Sequence, residues 1–334
     1  MTARLAFTAR ILLALCMLLA TGWAALALWY RLPFASPLPA GFAACFTLLG
    51  LMTAVGQFRP RRLRALATFC FAMAAMLTWW GSLKAPAERN WSLDVARQVT
   101  GELEGSLLTL KNVRNFTWRS AEDFDARWET RSYDLDQIES VDLAMSYWAG
   151  PDMAHMIVSF GFADGDHIAW SVEVRRQEGG GFSPIADLFK ANTLAIIAAD
   201  ERDVIGTRTN MRSEDVQLFR TNTSPERARA LLLQYVAASN RLAEQPRWYN
   251  SLTTNCTTVV MTMIRTIVDE VPLDWRVLAN GHLPAYAYDA GVLDNSLPLQ
   301  KLIEASRITR RAQEHGITAE FSTMIRRGLP LPQR

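Results

Sequence analysis

The sequence has few cysteines, no excess of charge of either sign and no internal repeats. Its 334 residues include four cysteines, and its 35 basic residues are balanced by 33 acidic ones, so the net charge is only +2. A nearly neutral chain has no basic face for nucleic acid, so we expect no nucleic-acid partner. Neither Cys-x-x-Cys nor His-x-x-x-His spacing occurs, so the sequence predicts no metal site and no other cofactor.

Acidic residues are missing from the first 80 positions, which instead contain three long apolar runs. The runs cover about residues 11–30, 38–58 and 65–83, and each can cross ~30 Å of hydrocarbon as a helix. We therefore predict that residues 1–84 form a membrane anchor whose partner is the bilayer. A cleaved signal peptide is the alternative for the first run, but that run is longer than the usual apolar core of ~7–15 residues.

Arginines near these runs predict their orientation. Arg4 and Arg10 precede the first run and four arginines separate the second from the third, whereas the loop between the first and second offers only Arg31. Positive charges beside short spans are retained in the cytoplasm. The N-terminus is therefore expected in the cytoplasm, and residues 85–334 on the extracytoplasmic side.

Residues 85–334 mix charged residues with short apolar runs, as expected of one folded α+β domain. We predict a helix over residues 91–106, extended segments near 105–118 and 138–148, and a strand around 216–220. A β-hairpin is the clearest feature, because two strand-like segments, 153–162 and 167–176, flank the turn 163–166. The second segment places Trp170, Val172 and Val174 on one face and Ser171, Glu173 and Arg175 on the other.

Helices are predicted in the second half of the domain. One should begin at Thr223, which has capping-box spacing to Glu226, and continue with an apolar stripe. The stripe consists of Ala228, Leu231, Leu232, Tyr235 and Val236. A second helix should run from Cys256 past Ile267, and a third should lie near residues 299–311. The acidic and basic residues 200–203 are expected in a surface loop or an ion-pair cluster.

Cys256 is the only cysteine outside the apolar runs, since Cys16, Cys45 and Cys70 lie within them. A lone thiol on the extracytoplasmic side cannot form a disulfide within its domain, so it is either buried or used. The preceding residues 249–255 are polar and rich in helix N-cap types, which places Cys256 in the first turn of a helix. The helix dipole there favours a nucleophilic thiolate, and the backbone N–H groups could stabilise an oxyanion.

A nucleophilic thiolate needs a partner that takes and returns a proton. His155 is favoured among the four histidines because it lies in an apolar strand, and Glu173 on the next strand can reach across the hairpin to orient its ring. His167 is the alternative candidate. Ordinary structural roles also fit, because buried cysteine and strand histidine are common core residues, and Glu173 beside Arg175 could be a solvated strand face.

Several short segments occur in the order expected of one bacterial family. They are 112–116 (NVRNF), 154–160 (AHMIVSF), 171–175 (SVEVR), 200–203 (DERD), 249–250 (YN) and 255–258 (NCTT). Together they resemble the Lnb N-terminal periplasmic domain family over about residues 105–270. The resemblance implies a bacterial inner-membrane protein whose main domain is periplasmic.

The order histidine, polar residue, cysteine is also similar to that of permuted NlpC-like, papain-fold thiol enzymes, including relatives of lecithin retinol acyltransferase. The resemblance implies a thiol-dependent acyltransferase or acyl hydrolase that acts on membrane lipids or lipoproteins. Cys256, His155 and Glu173 would be catalytic, Asn255 would lie near the oxyanion, and Tyr249 and Arg175 would contact substrate. Two alternatives stay open: a cysteine peptidase or amidase acting on cell-wall peptide, and a noncatalytic membrane-anchored binding domain.

Overall fold

The computed structural model describes residues 2–34, 36–268, 271–272 and 274–332. The chain forms two compact units. The first contains residues 1–86 and 183–191, and the second contains residues 87–182 and 192–334. A mixed α+β composition, with three apolar helices before a large sheet, confirms the predicted fold class.

The first unit contains three helices that are long and apolar enough to cross a membrane, as predicted. They are α1 (Thr2–Arg31), α2 (Leu38–Gly56) and α3 (Arg62–Ser82). Helices α1 and α2 approach closely at Gly50, where an added Cβ would lie 2.1 Å from the hydroxyl oxygen of Thr21. Such close approach at small residues is typical of helix packing in bilayers.

Residues 183–191 also belong to the first unit, although they follow it by about a hundred positions. They include the short helix α4 (Pro184–Asp187). The Phe189 ring stacks on the ring of Tyr30 at 5.6 Å, and the Lys190 ammonium donates to the carbonyl of Trp80 at 2.6 Å. Local sequence patterns do not predict this association, because Lys190 and Trp80 are 110 positions apart.

The second unit is built on one eight-stranded sheet. Its strands are β1 (Thr100–Glu104), β2 (Leu107–Arg114), β5 (Trp128–Asp134), β6 (Ile138–Tyr147), β7 (Ala154–Phe162), β8 (His167–Arg175), β9 (Thr193–Ala199) and β10 (Asp215–Arg220). The order is β1-β2-β9-β8-β7-β6-β10, with β5 also paired to β2. A separate small hairpin joins β3 (Thr117–Trp118) to β4 (Phe124–Asp125). All pairings are antiparallel except that of β2 with β9.

Helices flank both faces of this sheet. They are α5 (Glu201–Gly206), α6 (Pro225–Glu244), α7 (Cys256–Ile264), α8 (Leu283–Asp289), α9 (Leu299–Ser306), α10 (Thr309–His315) and α11 (Phe321–Arg326). A π-helical turn, Thr207–Met211, continues α5. Short 3-10 turns lie at Leu93–Val95, Leu135–Gln137, Trp275–Val277 and Asn280–His282.

The predicted hairpin is present as β7 and β8, and one of its faces meets the predicted apolar stripe of α6. Trp170 and Val172 are buried there with Leu232 and Tyr235. The opposite face is also covered, because Ile157 and Ala169 pack in a second core with Phe321 and Ile325 of α11. The polar face of β8 does not lie in solvent, since Ser171 is only 1% exposed. The polar side chains on this face must therefore form hydrogen bonds with other groups inside the protein.

The helix predicted over residues 91–106 is wrong. Only Leu93–Val95 forms a helical turn, and Thr100–Glu104 is a strand paired with β2. An added Cβ at Gly101 would lie 2.8 Å from a methyl carbon of Leu110, so the strand needs this glycine to approach its neighbour. Pairing with the adjacent strand β2 overrides the local helical pattern.

Two smaller predictions also need correction, and one open alternative is decided. Helix α6 is capped by Ser224 rather than Thr223. The helix predicted over residues 299–311 is interrupted before α10, where the Ile308 N–H donates to the carbonyl of Val216 at 2.9 Å. Residues 200–203 form an ion-pair cluster rather than a surface loop, because Asp203 is fully buried and accepts two hydrogen bonds from the Arg114 guanidinium.

Candidate functional site

Cys256 occupies the first position of α7, as predicted, because Asn255 caps this helix. The Asn255 side-chain oxygen accepts hydrogen bonds from the amides of Thr257 and Thr258 at 3.0 and 2.9 Å. The Thr258 hydroxyl accepts one in return from the Asn255 amide at 2.9 Å. This reciprocal capping box fixes the start of the helix and therefore the position of the thiol.

The thiol of Cys256 meets the start of strand β7. The His155 side chain and the backbone N–H of Met156 both lie close enough to the sulfur to lower the pKa of the thiol. Pairing of β7 with β8 extends only to Ile157 and Ser171, so the thiol contacts β7 just beyond the paired part. The structure thus brings the only cysteine outside the apolar helices to the histidine predicted as its partner.

Glu173 lies on the other side of the His155 ring. The Nε2 atom of His155 is 3.1 Å from one carboxylate oxygen of Glu173 and 2.6 Å from the hydroxyl oxygen of Ser171. The Ser171 hydroxyl donates to the same Glu173 oxygen at 2.7 Å. A carboxylate, a hydroxyl and an imidazole therefore form one hydrogen-bonded group across the hairpin, which fixes the orientation of the ring.

Arg208 completes this group from the buried side. Its guanidinium donates to Glu173 at 3.4 Å and to Glu214 at 3.1 Å, and its side chain is only 9% exposed. Glu214 in turn accepts a hydrogen bond from Ser146. Arg208 lies in the π-helical turn after α5, a type of turn that is frequent at functional sites. Its contacts cross 35 positions, so no local motif identifies it.

These contacts set the ionisation of the site. Burial alone would raise the pKa of the Cys256 thiol, but its hydrogen bond and charge interaction with His155 outweigh burial and lower this pKa. Burial and the Arg208 charge oppose protonation of His155, yet Glu173 and the bond to Cys256 raise the pKa of His155 to about 9. Burial alone would raise the pKa of Glu173, but His155 and Arg208 outweigh burial and hold this pKa well below its usual range. At neutral pH these directions favour a thiolate, an imidazolium and a carboxylate in contact.

Asn280 also lies at the thiol, and the sequence did not predict it. Its amide nitrogen donates to the carbonyl of Ala154 at 2.6 Å and to the Thr257 hydroxyl at 2.9 Å, and lies 3.6 Å from the Cys256 sulfur. Its amide oxygen accepts from the backbone N–H of Ala154 at 2.9 Å. Asn280 therefore joins the start of β7 to the start of α7, across 126 positions of sequence.

His167, the alternative histidine, lies at the other end of β8. It lies six positions before Glu173, a distance of about 20 Å at the usual rise of a strand. Its Nδ1 atom is 2.9 Å from the carbonyl oxygen of Gly165 in the hairpin turn. This placement puts His167 outside the cluster formed by Cys256, His155 and Glu173.

The three residues expected on the substrate side have different positions. Asn255 uses its side-chain oxygen for the helix cap, while its side-chain nitrogen donates to the Ser251 carbonyl at 2.7 Å. Tyr249 is buried in the same apolar cluster as Cys256. The Arg175 guanidinium donates to the carbonyls of Val95 and Ala96 at 3.1 and 2.5 Å, so it holds the segment before β1.

The cap also determines which backbone N–H groups could meet an oxyanion. Because Asn255 accepts from the amides of Thr257 and Thr258, the amide of Cys256 itself is the first-turn N–H that stays available for a ligand oxygen. Within the described part of the chain, no group of three or more His, Cys, Asp or Glu residues is arranged to hold a metal ion. The chemistry that these residues can support is nucleophilic attack by the thiolate, with proton transfer through the imidazole.

Comparison with known families gives one match. The sequence profile of the Lnb N-terminal periplasmic domain matches residues 124–281, which include β7, β8, Cys256 and Asn280. The matching profile is that of the family expected from the short segments, over a region shifted toward the C-terminus, and the similarity to papain-fold thiol enzymes stays a prediction. No curated protein and no solved structure matches the chain.

Proposed function

We propose, on the premise that residues 124–281 form an Lnb N-terminal periplasmic domain, that the protein is a thiol-dependent acyltransferase or acyl hydrolase. Its substrates would be membrane lipids or lipoproteins, and it would lie in the bacterial inner membrane with its N-terminus in the cytoplasm. The observation that carries the proposal is the contact of the Cys256 thiol with His155, whose ring contacts Glu173. A cysteine with a purely structural role in an apolar core would not need an imidazole that is paired with a carboxylate beside it.

The first half of the reaction follows from the ionisation of the site. The Cys256 thiolate attacks the carbonyl carbon of an ester, a carbon–sulfur bond forms, and the carbonyl electron pair moves to oxygen. The backbone amide of Cys256 would donate to this oxyanion. When the tetrahedral intermediate collapses, the carbon–oxygen bond breaks, and the leaving alkoxide takes the proton from His155. The product is a thioester on Cys256 and a neutral imidazole.

The second half returns the enzyme to its resting state. An amine or a water molecule attacks the thioester, and His155 takes the proton that the nucleophile loses. Collapse of the second intermediate breaks the carbon–sulfur bond and releases the thiolate. Glu173 holds the ring in orientation and stabilises its charged form in both halves. The acyl group leaves as an amide in transfer or as a carboxylic acid in hydrolysis.

The membrane anchor supports a lipid substrate over a soluble one. Three helices that can span a bilayer are covalently joined to the domain that carries Cys256. Tethering raises the effective concentration of bilayer components around a site, so a weak intrinsic affinity for lipid suffices. A soluble substrate would gain nothing from this arrangement.

Acyl transfer to Cys256 can be tested directly by intact-protein mass spectrometry. The full-length protein would be incubated with vesicles of a diacyl phospholipid that carries an alkyne-tagged acyl chain. We expect one tagged acyl group on the wild type and none on Cys256→Ser. A triple variant, Cys16→Ser, Cys45→Ser and Cys70→Ser, is the matched control and should keep the tag. Absence of a tagged adduct on both wild type and triple variant would contradict acyl transfer.

The same cluster could instead cleave cell-wall peptide, and a muropeptide substrate in the same assay separates the two reactions. A noncatalytic role makes another prediction. If Cys256→Ala fully replaced the wild type in a deletion strain, the domain would act by binding alone.

A further inference from the structure

An apolar groove lies in the second unit, between the end of β6 and helices α8 and α9. Its volume is about 610 Å³, within the range of roughly 300–1,000 Å³ typical of small-molecule sites. The walls are mostly apolar and include Tyr147, Trp148, Pro284, Ala285, Leu299 and Ile303. Trp148 is 48% exposed, although tryptophan is mostly buried in proteins. The volume of the groove and its mostly apolar walls are those of a site that can bind a small ligand.

The inner wall of the groove is joined to the thiol site by direct contacts. The Tyr147 hydroxyl donates to the carbonyl of Gly281 at 2.8 Å, and both residues line the groove. Gly281 follows Asn280, whose amide nitrogen lies 3.6 Å from the Cys256 sulfur. Tyr147 is also the strand partner of Ala154, the residue before His155. The groove residue Gly281 is therefore the neighbour in sequence of Asn280, and the strand partner of the groove residue Tyr147 is the neighbour in sequence of His155.

Charges at the rim indicate what the groove does not bind. The two basic residues that line it each lie beside an acidic one: His282 lies 2.8 Å from Asp152, and Arg307 lies 3.6 Å from Asp215. A basic side chain beside a carboxylate attracts a phosphate or a free carboxylate weakly, because the carboxylate opposes its field. The groove thus suits an uncharged apolar ligand.

An apolar peptide fits this groove less well than a hydrocarbon chain. A peptide would bring backbone N–H and C=O groups, and each one left unpaired against an apolar wall costs free energy. A hydrocarbon chain has no such groups, and burying its methylenes contributes ~0.8 kcal/mol each. The bilayer to which the chain is anchored consists of molecules that carry such chains.

We propose that this groove binds the acyl chain of the lipid or lipoprotein whose ester carbonyl reacts with Cys256. The inference rests on the proposed acyl transfer and specifies its substrate: a long acyl chain lies along α8 and α9, and the carbonyl sits at the end near Asn280. The groove then positions the ester carbonyl at the thiol. Lipids with short acyl chains bind less well, because they leave most of the apolar wall uncovered.

Photocrosslinking tests the groove without requiring turnover. The full-length Cys256→Ala variant would be placed in phosphatidylethanolamine and phosphatidylglycerol vesicles that contain a phospholipid with a diazirine at the end of its palmitoyl chain. After irradiation, mass spectrometry locates the labelled peptides. We expect labels on residues 147–151 and 284–303, in addition to α1, α2 and α3, which contact lipid in any case and report that the probe is present.

Two variants that fill the groove make the test specific. Ala285→Trp and Ile303→Trp lie on different walls and should each abolish labelling of the groove while the labels on α1–α3 persist. Leu107→Trp, at the first residue of β2, where the side chain is 47% exposed, adds the same side chain elsewhere and should leave the groove labels unchanged. Labels confined to α1–α3 in the Cys256→Ala protein, or groove labels that survive both filling substitutions, would overturn the proposal.

This experiment is independent of the reaction itself. Groove labelling without any acyl adduct on wild-type Cys256 would support acyl-chain binding in the groove and contradict acyl transfer. Acyl adducts on Cys256 that form equally with short and long chains, without groove labelling, would support acyl transfer and contradict acyl-chain binding in the groove.

Discussion

Burial and hydrogen bonding act in opposite directions on the thiol of Cys256. Its low exposure, 7%, disfavours the charged thiolate, whereas His155, the Met156 amide and the Thr257 hydroxyl favour it. The stabilising contacts prevail because a paired imidazolium in a site of low dielectric interacts strongly with an adjacent anion. Removing the imidazole should therefore reverse the direction of the shift.

Alkylation of Cys256 measures this reversal. In a protein with the other three cysteines replaced by serine, the rate of reaction with iodoacetamide should stay high below pH 8.5, the ordinary pKa of a thiol. His155→Asn should lower the rate at pH 7 by about tenfold or more, since each pKa unit changes the thiolate fraction about tenfold. His167→Asn, whose ring lies at the other end of β8, is the control and should alkylate like its parent. Equal rates for the parent and His155→Asn would show that the thiolate does not depend on this ring.

At the scale of elements, helix α7 and the β7–β8 hairpin position the site, and both were predictable. The hairpin is encoded by alternation around Trp170 and by a compact turn, and α7 by N-cap residues before an apolar run. These signals are local, so the sequence around each element is sufficient. The contact of Cys256 with His155 could be expected only because both elements had been assigned.

Other elements could not be predicted, because contacts outside each element determine them. Strand β1 has a pattern compatible with a helix, and its pairing with the adjacent strand β2 selects the extended form. Asn280 lies in a 3-10 turn with no motif, and its role arises where the turn meets Ala154. Arg208 likewise reaches Glu173 only through the π-helical turn. The roles of Asn280 and Arg208 depend on three-dimensional contacts that a single sequence does not show.

The cap of α7 gives a prediction about Asn255, which the sequence placed near the oxyanion. If its function is capping, Asn255→Ser should keep the cap and near-normal alkylation of Cys256, whereas Asn255→Ala should destabilise the domain by about 0.5–2 kcal/mol. Urea unfolding followed by tryptophan fluorescence measures the stability. A loss of acyl-adduct formation in Asn255→Ser, with stability unchanged, would instead assign its amide to the oxyanion.

For the whole molecule, the matched region is not a complete structural unit. Residues 124–281 leave out β1 and β2, which extend the sheet beyond β9, and α10 and α11, which cover its second face. Phe321 and Ile325 of α11 are buried against that face. The residues after 281 are therefore part of the fold. The packing of α11 against the sheet should contribute strongly to the stability of the second unit.

Arg326 of α11 makes this attachment, and its removal tests it. The guanidinium donates to both carboxylate oxygens of Glu201 at 2.6 and 2.7 Å and to Asp142 at 2.8 Å. Both carboxylates are almost fully buried, and Asp142 is also paired with Arg220. Arg326→Met should therefore remove the guanidinium that compensates Glu201 and lower the free energy of unfolding at pH 7 by about 3–5 kcal/mol. Arg310→Met removes an arginine that is 92% exposed and paired with Glu314, and should change little.

The pH dependence of this difference separates lost charge compensation from lost packing. Burial opposes ionisation of Glu201, but Arg326 lowers the pKa of Glu201 to about 2. A depressed folded-state pKa contributes stability that is present above the unfolded value, about 4.3, and is lost as pH falls toward 2. Without Arg326, burial dominates and this pKa rises, so the variant should gain stability relative to the wild type as pH falls from 7 to 4. Urea unfolding at several pH values measures the gap, and a gap that stays constant over this range would assign the loss to packing of α11 instead.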